Sequence, residues 1–300
     1  LNETPGKGSL DSVESTGSIG SIGFGLDDVT VSYGGDPALK HVNLSVEPGD
    51  SLAVIGASGA GKSTLFKLLT RGVGLTSGQV MLGGRDLFGL SWRELKEIRS
   101  SVGVVRQAYN LVPQLPVGVN AGLGEIGSLG GWRAVKLLLS GPDAGLASRV
   151  RDALERLGLT ELARSRTSDI SGGQQQRVAV ARLLVQRPGL VLADEPFAAV
   201  DPQTTERVLE TLVELNAAGS TLVVNLHDVE IARRFPRIVA LRGGRIFYDG
   251  GPEGLTEERL AEIYSGDPYG SRSRGLEPED AEPTGSSPRI TGGQDGVASH

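Results

Sequence analysis

Three groups of residues have types and spacings suited to handling a phosphorylated ligand. The first is Gly56-Ala57-Ser58-Gly59-Ala60-Gly61-Lys62-Ser63, followed by Thr64. Its glycines allow the backbone to wrap with N–H groups pointing inward, and a helix beginning at the lysine adds the partial positive charge of its N-terminus. Lys62 is expected to reach the β- and γ-phosphates of a nucleotide, and Ser63 to hold Mg2+ through its hydroxyl. The second is the acidic pair Asp194-Glu195, which ends the apolar run 190–193. Asp194 is assigned to Mg2+ through water, and Glu195 to polarising a water beside the γ-phosphate. The third is Ser171-Gly172-Gly173-Gln174. Ser171 and Gln174 have capping spacing, and the glycines expose backbone N–H groups at a helix start, which makes a second phosphate site. The first two groups point to binding and hydrolysis of a Mg·nucleoside triphosphate, as in any P-loop NTPase.

Such groups work only if rigid elements hold them. The apolar run 52–55 reads as a buried strand feeding the glycine loop, and 62–71 as the helix that leaves it. Alternation at Leu26, Val29 and Val31, then at Val42, Leu44 and Val46, predicts strands at an exposed edge. Further strands are expected at 80–82, 102–106, 190–193, 222–225, 238–241 and 245–248. Helices are expected at 91–97, where Ser91 and Glu94 form a capping-box pair, and at 173–186, 204–215 and 228–234. From 111 to 163 the pattern turns helical, with Val150, Ala153, Leu154 and Leu157 on one face of a helix over 147–157. That block is expected to form a separate helical lobe. Strands alternating with helices predict an α/β fold with a mostly parallel sheet covered on both faces.

Composition narrows the function further. The 300 residues include 44 glycines and 15 prolines, and carry a formal charge of −6. An acidic balance argues against a nucleic-acid partner, which would call for a basic stripe. Without cysteine there is no thiol catalysis or thiolate metal site, and His41, His227 and His300 are too scattered to form a metal cluster. No apolar run reaches the roughly 18 residues of a membrane helix. Residues 1–22 and 266–300 are rich in Gly, Ser and charge, so they are expected as a disordered leader and tail around a folded domain at 23–265.

The stretch Ile170-Ser171-Gly172-Gly173-Gln174-Gln175 resembles the signature motif of ABC-transporter ATPases. The resemblance extends over residues 24–265. It implies a P-loop NTPase core with an antiparallel β edge subdomain and an inserted helical subdomain at about 108–170. By the same resemblance Tyr33 stacks on adenine, Gln107 touches Mg2+ and the attacking water, and His227 contacts the γ-phosphate. Asp201 follows as the family's aspartate that acts across a dimer, and Ser171, Gly172, Gly173 and Gln174 grip the γ-phosphate held by the partner copy. The implied assembly is a homodimer at the cytoplasmic face of the cell membrane, with two integral-membrane permease subunits and an extracytoplasmic solute-binding protein. The stretches 105–111, 192–196 and 260–264 look like the ATP-binding subunit of phosphonate importers. Ile170 in place of the usual leucine, and the changes at Phe197, Ala199 and Val200, depart from the pattern without removing a catalytic group. Phosphate, phosphite or another small solute stand as alternative cargoes. A non-transport ATPase of the same fold is the other alternative, although those relatives often carry two nucleotide domains or a long coiled-coil insertion. This chain has one phosphate loop and about 60 residues between Gln107 and Ser171.

Overall fold

Apolar residues at 24, 26, 29 and 31, and again at 39, 42, 44 and 46, alternate except for one irregularity in each strand, and on either side of Gly34 and Gly35 they give two strands joined by a turn, β1 (Phe24–Ser32) and β2 (Pro37–Val46). The chain is described by a computed structural model over residues 20–265, apart from 107–108, 130 and 198–200. After β2 come β3 (Ser51–Gly56), α1 (Lys62–Leu69), β4 (Ser77–Leu82), β5 (Arg85–Asp86), α2 (Trp92–Ser100) and β6 (Val102–Val105). The lobe follows with α3 (Val117–Gly122), α4 (Gly131–Ser140) and α5 (Ala144–Arg156). The chain then returns through α6 (Gly172–Gln186), β7 (Leu190–Asp194), α7 (Pro202–Ala217), β8 (Thr221–Asn225), α8 (Val229–Ala232), β9 (Arg237–Arg242), β10 (Arg245–Gly250) and α9 (Glu257–Ile263).

Two sheets form. The larger has strand order β10-β9-β3-β8-β7-β6 and the smaller β2-β1-β4-β5. In the larger sheet β9, β3, β8, β7 and β6 pair in parallel, and β10 adds antiparallel to β9. The small sheet is antiparallel throughout. One expectation changes here: β1 is no edge strand, because β4 pairs with its free side from Phe24↔Leu82 to Thr30↔Ser77. The two-residue β5 is too short to leave a periodic signal.

Continuous apolar runs in β3, β7 and β8 have a direct cause. Leu52 and Val54 face one core, with Leu65, Phe66 and the small sheet, while Ala53 and Ile55 face a second core built on α5, α6 and α7. Leu190 and Leu192 divide from Val191 and Ala193 in the same way. A strand with both faces covered shows no alternation. The expected face of α5 is buried at Val150, Ala153 and Leu154, with Leu157 just beyond its end. In α6 the expected single stripe understates the burial, since no residue from Gly173 to Gln186 is exposed. α8 is shorter than the expected 228–234, with Asp228 capping it from outside.

At the start of the described chain, Ile22 is part of a core and its N–H donates to Gly189 O at 3.1 Å. The folded unit therefore reaches back at least to Ile22, one residue before the expected boundary. The rest of the expected leader and all of the expected tail lie outside the described residues. Among the described residues no helix is long and apolar enough to cross a membrane.

Gly103 in β6 tests how tightly α6 presses on the sheet, because a Cβ there would lie 2.5 Å from Leu183 Cδ2 and 2.6 Å from the Pro188 ring. Gly103→Ala is expected to cost about 1–3 kcal/mol of overpacking strain, read as a lower midpoint in urea unfolding.

Candidate functional site

The glycine loop leaves the carboxyl end of β3 and is hemmed in by backbone on two sides. Gly56 has φ +147°, and a Cβ on it would lie 2.3 Å from Leu241 O of β9. Gly61, the residue before α1, has φ +108°, and a Cβ there would lie 2.6 Å from Ala38 O and 2.8 Å from Leu39 Cδ2 of β2. Both the dihedral and the space exclude a side chain. The loop is also tied from outside, as Gly244 N–H donates to Ala60 O at 3.1 Å and Lys40 N–H donates to Gly244 O at 2.7 Å. Lys62 is only 5% exposed, and its ammonium donates to Gly56 O at 2.6 Å and Ala57 O at 3.1 Å. The cation is thus held within the curve of the loop. Ser58, Gly59 and Ser63 lie on the exposed side, with Ala57 and Thr64 half-buried and Ala60 buried.

Two strands away, β7 ends at Asp194. Asn225, which ends β8 beside it, donates from Nδ2 to Asp194 Oδ1 at 2.5 Å. Asn225 is fully buried, and its Oδ1 has no partner. The backbone then turns into the left-handed region at Glu195, φ +53°, where a non-glycine residue costs roughly 1–2 kcal/mol. Glu195 N–H donates to Asn225 O at 3.1 Å. The turn brings Glu195 Oε1 to 2.6 Å from His227 Nε2, a hydrogen bond in which the imidazole donates and the carboxylate accepts. β3, β8 and β7 are neighbours in that order, so the glycine loop, His227 and the two acids share the carboxyl edge of one parallel sheet, the usual ligand side of this architecture.

Ser171 caps α6. Its Oγ accepts from Gln174 N–H at 3.3 Å, and Gln174 Oε1 accepts from Ser171 N–H at 2.8 Å, the reciprocal pair that the spacing predicts. The bonds made by residues 171–175 stay within their own turn, Gln175 Nε2 donating to Ile170 O at 3.1 Å. Among the described residues no hydrogen bond is made by the N–H groups of Gly172 and Gly173, and nothing described within the chain brings them onto the glycine loop. Asp201 caps α7, accepting from Thr204 N–H at 2.9 Å and from Thr204 Oγ1 at 2.7 Å. These bonds hold its carboxyl below the usual aspartate range. Arg177 of α6 donates to the same Thr204 hydroxyl at 2.7 Å. Tyr33, in the turn between β1 and β2, is 59% exposed, and the strand after it carries Ala38 and Leu39 against Gly61. Gln107 lies outside the described residues.

Sequence reasoning passed over Asn225, the group that fixes Asp194. Its signal was present, for one amide at the end of an otherwise apolar strand demands a polar partner when buried.

Gly61→Ala is expected to abolish binding of a fluorescent ATP analogue, because Ala38 O cannot recede without moving β2. A variant that binds the analogue with wild-type affinity would show that the loop relaxes around a side chain.

Residues 39–198 match the ABC transporter family. A phosphonates import ATP-binding protein, PhnC 1, of Ruegeria sp. (strain TM1040) is 40% identical over 83% of this chain and 96% of that protein. Another, PhnC of Alcaligenes faecalis, is 42% identical over 79% of this chain and 86% of that protein. Among solved structures, the dimeric ATP-binding cassette MJ0796 in a post-hydrolysis state with ADP and Pi is 33% identical, with a TM-score of 0.69 over 76% of this chain and 98% of that one.

Proposed function

The chain belongs to the ABC transporter family of ATP-binding domains, and from that premise we propose that it is the ATP-hydrolysing subunit of a phosphonate importer. The cargo rests on the relatives named above, each about 40% identical over most of its length. The observation that carries the chemistry is the meeting of the glycine loop, Asp194, Glu195 and His227 at one sheet edge, with Glu195 and His227 already hydrogen-bonded.

In this reading the N–H groups of residues 56–64 and the Lys62 ammonium receive the β- and γ-phosphates of ATP, and Tyr33 stacks on the adenine. Lys62 exchanges its loop carbonyls for phosphate oxygens. A hard cation that prefers oxygen ligands fits Ser63, Gln107 and a water on Asp194, since Asn225 engages one Asp194 oxygen and orients the carboxylate. Bound Mg2+ would supply charge neutralisation across the β- and γ-phosphates. Glu195 accepts a hydrogen bond from the attacking water, and His227, whose Nε2–H donates to that carboxylate, exchanges this bond for a γ-phosphate oxygen when ATP binds.

Free donors at Gly172 and Gly173 have no phosphate to meet in their own chain. A second copy, turned head to tail, supplies one. Its bound ATP is closed over by residues 171–174 of the first copy, with Asp201 beside the junction. MJ0796, solved as a dimer with ADP and Pi, supports this arrangement. ATP drives closure because it binds the closed dimer more tightly than the open one, and hydrolysis reverses the shift.

Two membrane permease subunits and an extracytoplasmic solute-binding protein complete the system, with this chain on the cytoplasmic face. The folded domain, which ends at about 265 and includes Ile22 ahead of the expected start at 23, carries its lobe at about 108–170, and α4 offers the surface toward the permease. Trp132, Val135, Leu138 and Leu139 are 77%, 44%, 43% and 81% exposed, more apolar area than a surface helix without a partner normally carries. Leu139→Glu is expected to lower co-purification of the permease while leaving ATP binding unchanged.

Glu195→Gln tests the catalytic assignment. It is expected to retain ATP-dependent dimerisation, with turnover reduced at least 100-fold and phosphonate uptake lost in complemented cells. Wild-type turnover in that variant would overturn the role given to Glu195. Phosphonate uptake independent of the chain would overturn the cargo and leave the ATPase reading standing.

A further inference from the structure

Arg182, in the third turn of α6, has partners that none of the assignments above uses. One guanidinium nitrogen donates to Asn110 O at 2.8 Å and the other to Tyr109 O at 2.9 Å. Those carbonyls belong to consecutive non-glycine residues in the left-handed region, φ +56° at Tyr109 and +49° at Asn110. Such a pair persists only where its surroundings over-determine it. Arg182 forms no ion pair among the described residues, so two carbonyl dipoles stand in for the water its charge gives up. Burial accordingly holds the group below the usual arginine range. A rigid planar fork can bridge two carbonyls at a fixed separation, which a single ammonium cannot do.

Three further contacts fix α6 against its surroundings, the first of them to the same turn. Tyr109 packs against the α6 core, and its hydroxyl lies 3.7 Å from where a Cβ on Gly172 would be, at the start of α6. Gln186, one turn beyond Arg182, donates from Nε2 to Ser100 O and Val102 O, each at 3.1 Å. Gly124 approaches so closely that a Cβ would lie 2.3 Å from Arg182 O. α6 therefore holds the chain both before β6 and after the position of Gln107, and the backbone at Arg182 is itself wedged in place.

Resting on the proposed ATPase reading, we propose that Arg182 is a positioning residue which locks the Tyr109–Asn110 turn to the signature helix, so that the two move as one body when nucleotide binds. The helix carries Gly172 and Gly173 at its start. Displacement of the turn then swings those donors, and loss of the fork lets the turn move without them.

The test compares Arg182→Lys and Arg182→Met with the wild type, each also combined with Glu195→Gln. Binding of a fluorescent ATP analogue by the monomer is expected to stay within about twofold. The turnover number should fall at least tenfold, and ATP-driven dimerisation of the Glu195→Gln forms should need at least tenfold more ATP. Lysine should not rescue. Hydrogen exchange at amides 109–112 and 172–174 should change together on adding ATP in the Glu195→Gln protein, and separately once Arg182 is replaced. Wild-type turnover in the lysine variant would overturn the proposal, as would linked exchange in either variant. If Arg182→Met does not fold, the lysine variant and its exchange pattern decide alone. A wild type that did not hydrolyse ATP would count against the ATPase reading, whereas wild-type turnover shared by the variants would count against this lock alone.

Discussion

Gly56 and Gly61 mark the places where three separate parts of the chain come within touching distance. At one, the loop lies against the carbonyl of Leu241 in the large sheet, and at the other against Ala38 in the small sheet. Neither contact leaves room for a carbon atom more. The phosphate loop is therefore a joint between the two sheets, and its curvature is imposed from outside as much as by its own glycines. Lys62 makes the joint electrostatically tolerable. A buried ammonium among carbonyls whose N–H groups point the other way leaves a pocket of positive potential, a place suited to an anion.

A helix covered on every side plays the complementary part. Within α6 only Gly172 is exposed, and three of its polar side chains are used as ties rather than as solvated surface. Arg177 reaches the Thr204 hydroxyl that also bonds Asp201, Arg182 the turn after Gln107, and Gln186 the start of β6. The signature turn is thus the free end of a rigid rod whose other contacts are with the segments that approach the nucleotide edge. Rigidity of this kind suits a part that must report on a ligand bound elsewhere, because packed interiors shift between discrete arrangements instead of bending.

Much of this was legible in the sequence, and for identifiable reasons. The glycine loop, the capping pairs at Ser91/Glu94 and Ser171/Gln174, and the apolar strands 52–55 and 190–193 are local signals that survive folding unchanged. What could not be read depends on partners distant in the chain. Nothing near β1 says that β4 will pair with its free side, so the strand looked like an edge. A stripe on α6 suggested one buried face because single-helix periodicity cannot register neighbours on the opposite face. Asn225 shows its purpose only when Asp194, 31 positions earlier, arrives on the adjacent strand. The left-handed turn at Glu195 and the fork of Arg182 leave no compositional trace at all, since neither involves a glycine.

Because β3, β7 and β8 send alternate side chains into two cores, the strands carry a hidden ambiguity. Slipping any one of them by a single residue would exchange the linings of the two cores, and both linings are made of valine, leucine, isoleucine and alanine. Hydrophobicity alone would resist such a slip poorly. What breaks the tie lies at the strand ends, where Asp194 must meet Asn225 and Gly56 must meet Leu241. The groups assigned to the nucleotide thus also act as index marks for threading the sheet. A chain that mis-threads would assemble no site, and one that assembles the site has already been proofread.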